Sequence, residues 1–379
     1  MKKIAYSIVI LILGIGCTSK NSTVKVTDLL KRGDSLLAVG ELSAAVGVYD
    51  SVLLADNQNI HASLQKTLAL IQNSQYTSAI QSAGAALQLA DTSTAYYYRA
   101  NAHRFIGNYA EAIADYTIAV KKAPDNYDYV HERGIALLHI NSLDSALQDF
   151  MKAKNLNPLD PRAFLSIGST YTLKKDFGAA LRYYEQSLGL KPDYYQALHA
   201  KCRLLKDIGE IDSCIATLYT AINYHQDSAD LYKLRCDMLF KKQRFNDAVI
   251  DASVLIRLMP NKAPYYNVRG YCKIQQNKTQ EALADFNSAL KIDSTYAYAW
   301  SNKGYCHYLL KEYPTAMSDI YHSLQLDANN SFAYRNLALV QIAQKQKAEA
   351  CQSINLGLTM GFTKQYGDEL EKLKKQNCR

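Results

Sequence analysis

The sequence predicts an all-α protein, a linear array of helix pairs, and three regularities carry that prediction. Ala45, Ala79, Ala112, Ala146, Ala180, Cys214, Ala248, Ala282, Ala316 and Ala350 stand 34 residues apart, with a single gap of 33, so one small unit repeats along the chain. Twelve positions before each lies a second, mostly small residue: Gly33, Thr67, Ala100, Gly134, Gly168, Cys202, Cys236, Gly270, Gly304 and Ala338. Four positions after it the residue is mostly large and apolar, as in Tyr49, Tyr116, Phe150, Tyr184, Leu218 and Phe286. Such offsets belong to helices, because a strand would alternate every second residue. Proline supplies the third regularity: Pro124, Pro158, Pro192 and Pro260 share one phase where a ring without an N–H ends a helix, while Pro161, Pro264 and Pro314 fit first turns.

The chain opens with Lys2 and Lys3, an apolar run from Ile4 to Ile15, and the pair Gly16-Cys17. The run falls short of the roughly 20 residues that span a bilayer, so residues 1–16 read as an export signal. Gly16 before Cys17 resembles a bacterial lipoprotein signal, which implies an acylated Cys17, a membrane anchor through the lipid and a polar tether over residues 17–25. Gly14 stands where that signal usually has an aliphatic residue, and ordinary secretion with Cys17 removed is the alternative. Thr18 after the cysteine resembles signals sorted to the outer membrane, which implies an exported, periplasm-facing protein of the bacterial cell envelope.

Ten units then follow, starting at Val26, Ile60, Ser93, Tyr127, Pro161, Tyr195, Ala229, Ala263, Ala297 and Ser331 and covering residues 26–364. In each, the first helix carries the small slot, a turn such as Ile106-Gly107-Asn108 reverses the chain, and the second helix carries the reference alanine. Asp115, Asp149, Asp251, Asp285 and Asp319 share one phase of the second helix, and the first helices of those units carry Arg99, Arg133, Arg235, Arg269 and Lys303 at a fixed earlier phase. This predicts ion pairs that clip the two helices of a unit together. Residues 365–379 close the array: Leu370 and Leu373, set among Asp368, Glu369, Glu371, Lys372, Lys374 and Lys375, make a one-sided capping helix from Gln365 to Gln376.

Unit five, with Phe164, Gly168, Tyr171, Ala180, Tyr184 and Pro192, and unit nine, with Trp300, Gly304 and Ala316, show the pattern most fully. On these residues the chain resembles the tetratricopeptide repeat (TPR) family. The resemblance implies a right-handed α-solenoid superhelix of about ten repeats and a role in binding proteins. It is silent on activity.

Composition excludes several classes. The formal net charge is +8, but Lys and Arg are scattered among acids through all ten units, so no basic stripe calls for nucleic acid. The chain lacks a phosphate-binding glycine loop, HExxH, GxSxG and any CxxC or zinc spacing, which argues against an enzyme and predicts neither cofactor nor metal. Cys202, Cys214 and Cys236 fill small slots of the repeat, and packing explains them. Two disulfides are geometrically conceivable, Cys202 with Cys214 where paired helices come closest, and Cys351 with Cys378 if the last helices run antiparallel.

Binding remains. If slots four, seven, eight and eleven of a first helix face its partner, slots two, five, nine and twelve line the concave side. In units eight to ten this gives Asn267, Tyr271, Tyr298, Tyr305, Tyr308, Phe332 and Arg335, with Asn302 and Asn336 one place along; unit three adds Tyr97, Asn101 and Arg104. Rings give contact area at low entropy cost and asparagine hydrogen-bonds a peptide backbone, so an extended peptide or helix suits the groove. Some family members grip a C-terminal carboxylate through a lysine and asparagines; here Asn267 stands at the lysine position and Tyr271 at an asparagine position, which does not support that grip. The expected function is a tethered adaptor or scaffold for one or more envelope proteins or peptides. The alternatives are a binder of glycan or cell-wall polymer, and an accessory factor of a protease, secretion or outer-membrane assembly system.

Overall fold

The computed structural model describes the backbone of residues 15–378 and the side chains of residues 25–378. The predicted export signal therefore lies outside the described residues up to Leu13 and Gly14, and so does the Cys17 side chain. Among the described residues there are 22 helices and no strand, and no helix is long and apolar enough to cross a membrane.

The chain divides into two compact units, Met1–Pro192 and Asp193–Arg379. The first contains α1 (Ile15–Ala38), α2 (Leu42–Ala55), α3 (Ile60–Gln72), α4 (Tyr76–Leu89), α5 (Ser93–Phe105), α6 (Tyr109–Lys122), α7 (Tyr127–His139), α8 (Leu143–Leu156), α9 (Pro161–Leu173) and α10 (Phe177–Leu190). The second contains α11 (Tyr195–Asp207), α12 (Ile211–Tyr224), α13 (Ala229–Lys241), α14 (Phe245–Leu258), α15 (Ala263–Gln275), α16 (Thr279–Ile292), α17 (Ala297–Leu309), α18 (Tyr313–Leu326), α19 (Ser331–Ala343) and α20 (Lys347–Thr359). It ends with α21 (Phe362–Tyr366) and α22 (Glu369–Asn377).

Odd- and even-numbered helices up to α20 pair as hairpins, and the repeat positions explain why. All ten residues on the 34-residue ruler are 0% exposed, so the period marks the seam of each pair. Gly134 shows what a small slot is for: a Cβ there would sit 2.6 Å from the Phe150 ring. Within a compact unit, cores are shared with the next hairpin, as when Ala100 of α5, Ala112 and Tyr116 of α6 and Ala136 of α7 form one cluster. Burying a ring such as Tyr116, Phe150 or Phe286 contributes about 1.5–3 kcal/mol.

The turn inside every hairpin is built alike. A residue in the left-handed region ends the first helix, and the next N–H reaches back to a carbonyl five residues earlier, as from Gln75 to Leu70, Asp176 to Tyr171 and Glu312 to His307, at 2.9–3.0 Å. Between hairpins, Asn59, Thr92, Asn126, Asp160 and Asn330 cap the next first helix with their side chains.

α1 begins at Ile15 and runs through residues 17–25 into the first hairpin as one helix. Two expectations change. The cap is two helices instead of one: Gly367, at φ +94°, breaks the segment, and Phe362 and Leu370 are buried against Ala338 and Ile354. Cys202 and Cys214 are free thiols; the Cys214 Sγ donates to the Cys202 carbonyl at 3.3 Å, so it is spent on the backbone of the partner helix. Cys351 and Cys378 are bonded, tying α20 to the chain just beyond α22.

The five clips between helices are present. Arg99 with Asp115, Arg133 with Asp149, Arg235 with Asp251 and Arg269 with Asp285 each make two hydrogen bonds of 2.6–3.0 Å, and Lys303 makes one to Asp319 at 3.2 Å.

Candidate functional site

In the second unit, the first helices bring several of the predicted positions together. Asn267, Tyr271, Tyr298, Asn302 and Phe332, from α15, α17 and α19, line one cleft of about 150 Å³ with Phe240, Val268 and Tyr366. The spacing that places them is the repeat itself, since α15, α17 and α19 begin 34 residues apart. The Asn302 amide donates to Asn267 Oδ1 at 2.9 Å, which fixes both side chains across neighbouring hairpins. Burial pushes the Tyr271 hydroxyl above its usual range, with Arg335 opposing, so it stays neutral and polar only at its tip.

Other predicted positions do different work. Tyr305 and Tyr308 stack on each other at 5.7 Å and are not among the residues lining the cleft. Arg335 lies over the Tyr305 ring at 4.7 Å and donates to Glu369 of α22 at 2.9 Å. Burial alone would lower the Arg335 pKa, but the bond to Glu369 and the nearby Tyr305 outweigh it and keep the cation charged. Asn336 is no groove residue: it is fully buried, donates to the Ser301 carbonyl at 3.1 Å and Ser301 Oγ at 2.9 Å, and accepts from Arg335. Val268 and Asn302, at the same slot of the two preceding units, line the cleft, so it is the bonds to Ser301 that hold Asn336 in the seam.

In the first unit, Tyr97 and Arg104 of α5 gather with Tyr116, Tyr129 and Glu132. The Tyr97 ring lies 4.7 Å from that of Tyr129, and burial pushes its hydroxyl up to about 12. Asn101 accepts the Tyr116 hydroxyl, and Arg104 pairs with Glu132 at 3.1 Å. His131, 3.6 Å from Glu132, is buried and meets Ser166 at 3.0 Å. This set is a buried polar network rather than an apolar hollow, and within it His131 Nδ1 and Glu132 Oε2 make no hydrogen bond.

Three cleft residues escaped the sequence reading. Val268 stands at slot six of unit eight, the phase of Asn302 and Asn336 one and two repeats on. Phe240 occupies slot twelve of unit seven, one of the slots assigned to the concave side, so the rule already contained it. Tyr366 comes from the cap, which gave no sign that its side chains turn onto first helices. No group of three or more His, Cys, Asp or Glu able to hold a metal occurs among the described residues.

Comparison with known proteins gives one family. Two models described as tetratricopeptide repeat match, one at residues 97–155 and 269–331, the other at residues 171–235. Among curated proteins, superkiller complex protein 3 of Mus musculus is 22% identical over 250 residues, covering 57% of this chain and 16% of that protein. Cellulose synthase 2 operon protein C of Komagataeibacter xylinus is 30% identical over 129 residues, covering 32% of this chain and 10% of that protein. The chain thus spans less than a fifth of either relative. Among solved structures, one reported as a functional characterization of Pseudomonas aeruginosa pilF is similar with a TM-score of 0.46 and 20% identity, covering 54% of this chain and 94% of the other. YrrB, described as a TPR protein with an unusual peptide-binding site, is similar with a TM-score of 0.41 and 16% identity, covering 48% and 95%.

Proposed function

We propose that this chain, an array of tetratricopeptide repeats, is a non-enzymatic adaptor that holds a protein or peptide partner against the first helices of its second unit. The observation that carries the reading is the cleft: rings from α13, α15, α17 and α19 open onto one concavity in which no lining residue is charged, and Tyr298 is 40% exposed at its edge. An exposed ring beside an apolar concavity is the arrangement that anchors partner side chains. The Lys2–Cys17 segment supports placing the adaptor in the bacterial envelope, exported and anchored by a lipid on Cys17.

Proximity labelling in the native cell tests the adaptor role. The wild type should enrich a defined set of envelope proteins, and a Tyr271→Ala, Tyr298→Ala variant with unchanged helical content should lose them; an unchanged set moves the interface elsewhere. Labelling with a fatty-acid analogue, with and without Cys17→Ala, tests the anchor, and label that survives the substitution rejects it. Exposed rings also stack on sugars, so binding on a glycan array that depends on Tyr298 favours the second reading, a cell-wall polymer binder. Service as an accessory factor of a protease, secretion or outer-membrane assembly system would appear in the identity of the labelled proteins.

A further inference from the structure

The cleft is more selective than an apolar hollow. Its rings form an arc, with centroids 5.2 Å apart for Phe240 and Tyr271, 6.1 Å for Tyr271 and Phe332, and 5.2 Å for Phe332 and Tyr366. Arg335 is already engaged by Glu369, so an incoming carboxylate meets no free cation from it. Asn302 lines the same cleft and is only 5% exposed; its amide is spent on Asn267, and its Oδ1 has no hydrogen-bond partner.

A buried acceptor without a donor is costly, and an occupant that brings an N–H among the rings recovers that cost. Donor arithmetic then selects the occupant. Leucine and phenylalanine side chains bring no donor, lysine brings three and arginine five, most of them left unsatisfied among rings. Tyrosine and neutral histidine bring one donor but also an acceptor that the rings leave unpaired, whereas the indole of tryptophan is a donor only, on a body that stacks against aromatic faces. A cavity of about 150 Å³ suffices for an aromatic ring.

We infer that the cleft receives a tryptophan side chain of a partner polypeptide, with the indole N–H donating to Asn302 Oδ1. The inference rests on the partner-binding role proposed above for this cleft. A second copy of the chain is a poor source, because the single tryptophan, Trp300, already donates its Nε1–H to the Ser294 carbonyl at 2.8 Å with its ring against His322.

The test is calorimetric titration of the full chain with short peptides that carry a central tryptophan, 1-methyltryptophan, phenylalanine, leucine or lysine. Tryptophan should bind best, and methylation of the indole nitrogen should weaken binding about 5- to 100-fold. Asn302→Ala should abolish the difference between the tryptophan and 1-methyltryptophan peptides, and Tyr271→Ala should weaken both. The two ligands differ by one methyl group, so the comparison holds in the wild type even if a variant fails to fold. Equal affinity of the methylated peptide, or tighter binding of the phenylalanine, leucine or lysine peptide, overturns the inference. If one of those peptides binds in a Tyr271-dependent way, the cleft remains the partner site with a different anchor. If no peptide binds and the labelled proteins do not change with Tyr271→Ala, both readings fall. Binding of free indole without binding of the peptide also overturns it, in favour of a small-molecule site.

Discussion

Arg235 and Asp251 close on each other through two hydrogen bonds, Nε to Oδ2 at 2.9 Å and Nη2 to Oδ1 at 2.6 Å, with both side chains buried between α13 and α14. Removing one partner strands the other charge in the seam. Arg235→Ala should therefore cost about 3–5 kcal/mol, whereas replacing both residues by apolar ones of similar volume should cost far less. Chemical denaturation of the single and double variants measures the difference, and a simple additive loss would contradict the clip.

The small slots predict a graded response. At Gly304 an added Cβ would lie 2.6 Å from Ile320 Cγ1 and 2.9 Å from the Ala316 carbonyl oxygen, so backbone would have to move. At Gly134 the three nearest atoms all belong to the Phe150 ring, which can shift. Gly304→Ala should lose about 1–3 kcal/mol, and Gly134→Ala less, as read from unfolding midpoints. Equal losses would mean that the backbone contact is not the limiting one.

The disulfide predicts a redox-dependent cap. Cys351 and Cys378 close a loop with a sequence separation of 27, and the chain they tie down carries Tyr366 of the cleft and Glu369 of the Arg335 pair. Reduction should cost the end of the array about 3 kcal/mol. Hydrogen exchange over α21 and α22 should rise with reductant in the wild type and show no reductant dependence in Cys351→Ser, Cys378→Ser.

Glu132 predicts an acid-side transition in the first unit. Burial alone would raise its pKa, but His131 beside it and the Arg104 cation more than offset that and hold the carboxyl below its ordinary 4.5. The folded state then binds this proton less readily than the unfolded chain. Its stabilisation is present above about pH 4.5 and is lost as pH falls through the folded value. Glu132→Gln should flatten the acid limb of stability against pH between those values; an unchanged limb would assign the transition to other carboxylates.

Much of the fold was legible in the sequence because the repeat is its own control. Ala45 to Ala350 recur at one spacing only if every copy meets the same seam, and Arg235 with Asp251 could be found by comparing copies. What could not be read lies where copies end. α1 has no earlier copy to compare among the described residues, so nothing in the period marked Ile15 as its start. The Tyr366 and Glu369 contacts belong to a cap with no second instance to compare. Asn336 could not be read for another reason: its slot lines the cleft in the two preceding units, through Val268 and Asn302, and only its bonds to Ser301 take it inward.

The ten hairpin turns leave an unused thermal reserve. Three of their left-handed positions are glycine, Gly40, Gly107 and Gly209; at the other seven, Ser74, Asn141, Lys175, Gln243, Asn277, Lys311 and Lys345 hold φ between 57° and 62° with a Cβ in place.

 Gly361, also left-handed, lies outside the hairpins, between α20 and α21. An L-residue held left-handed costs about 1–2 kcal/mol, against about 0.5–1 kcal/mol for the extra chain entropy of glycine. Evolution has left that margin untaken at exposed sites such as Lys175, Lys311 and Lys345, so an engineer seeking a hardier scaffold would begin with glycine there and leave the binding face untouched.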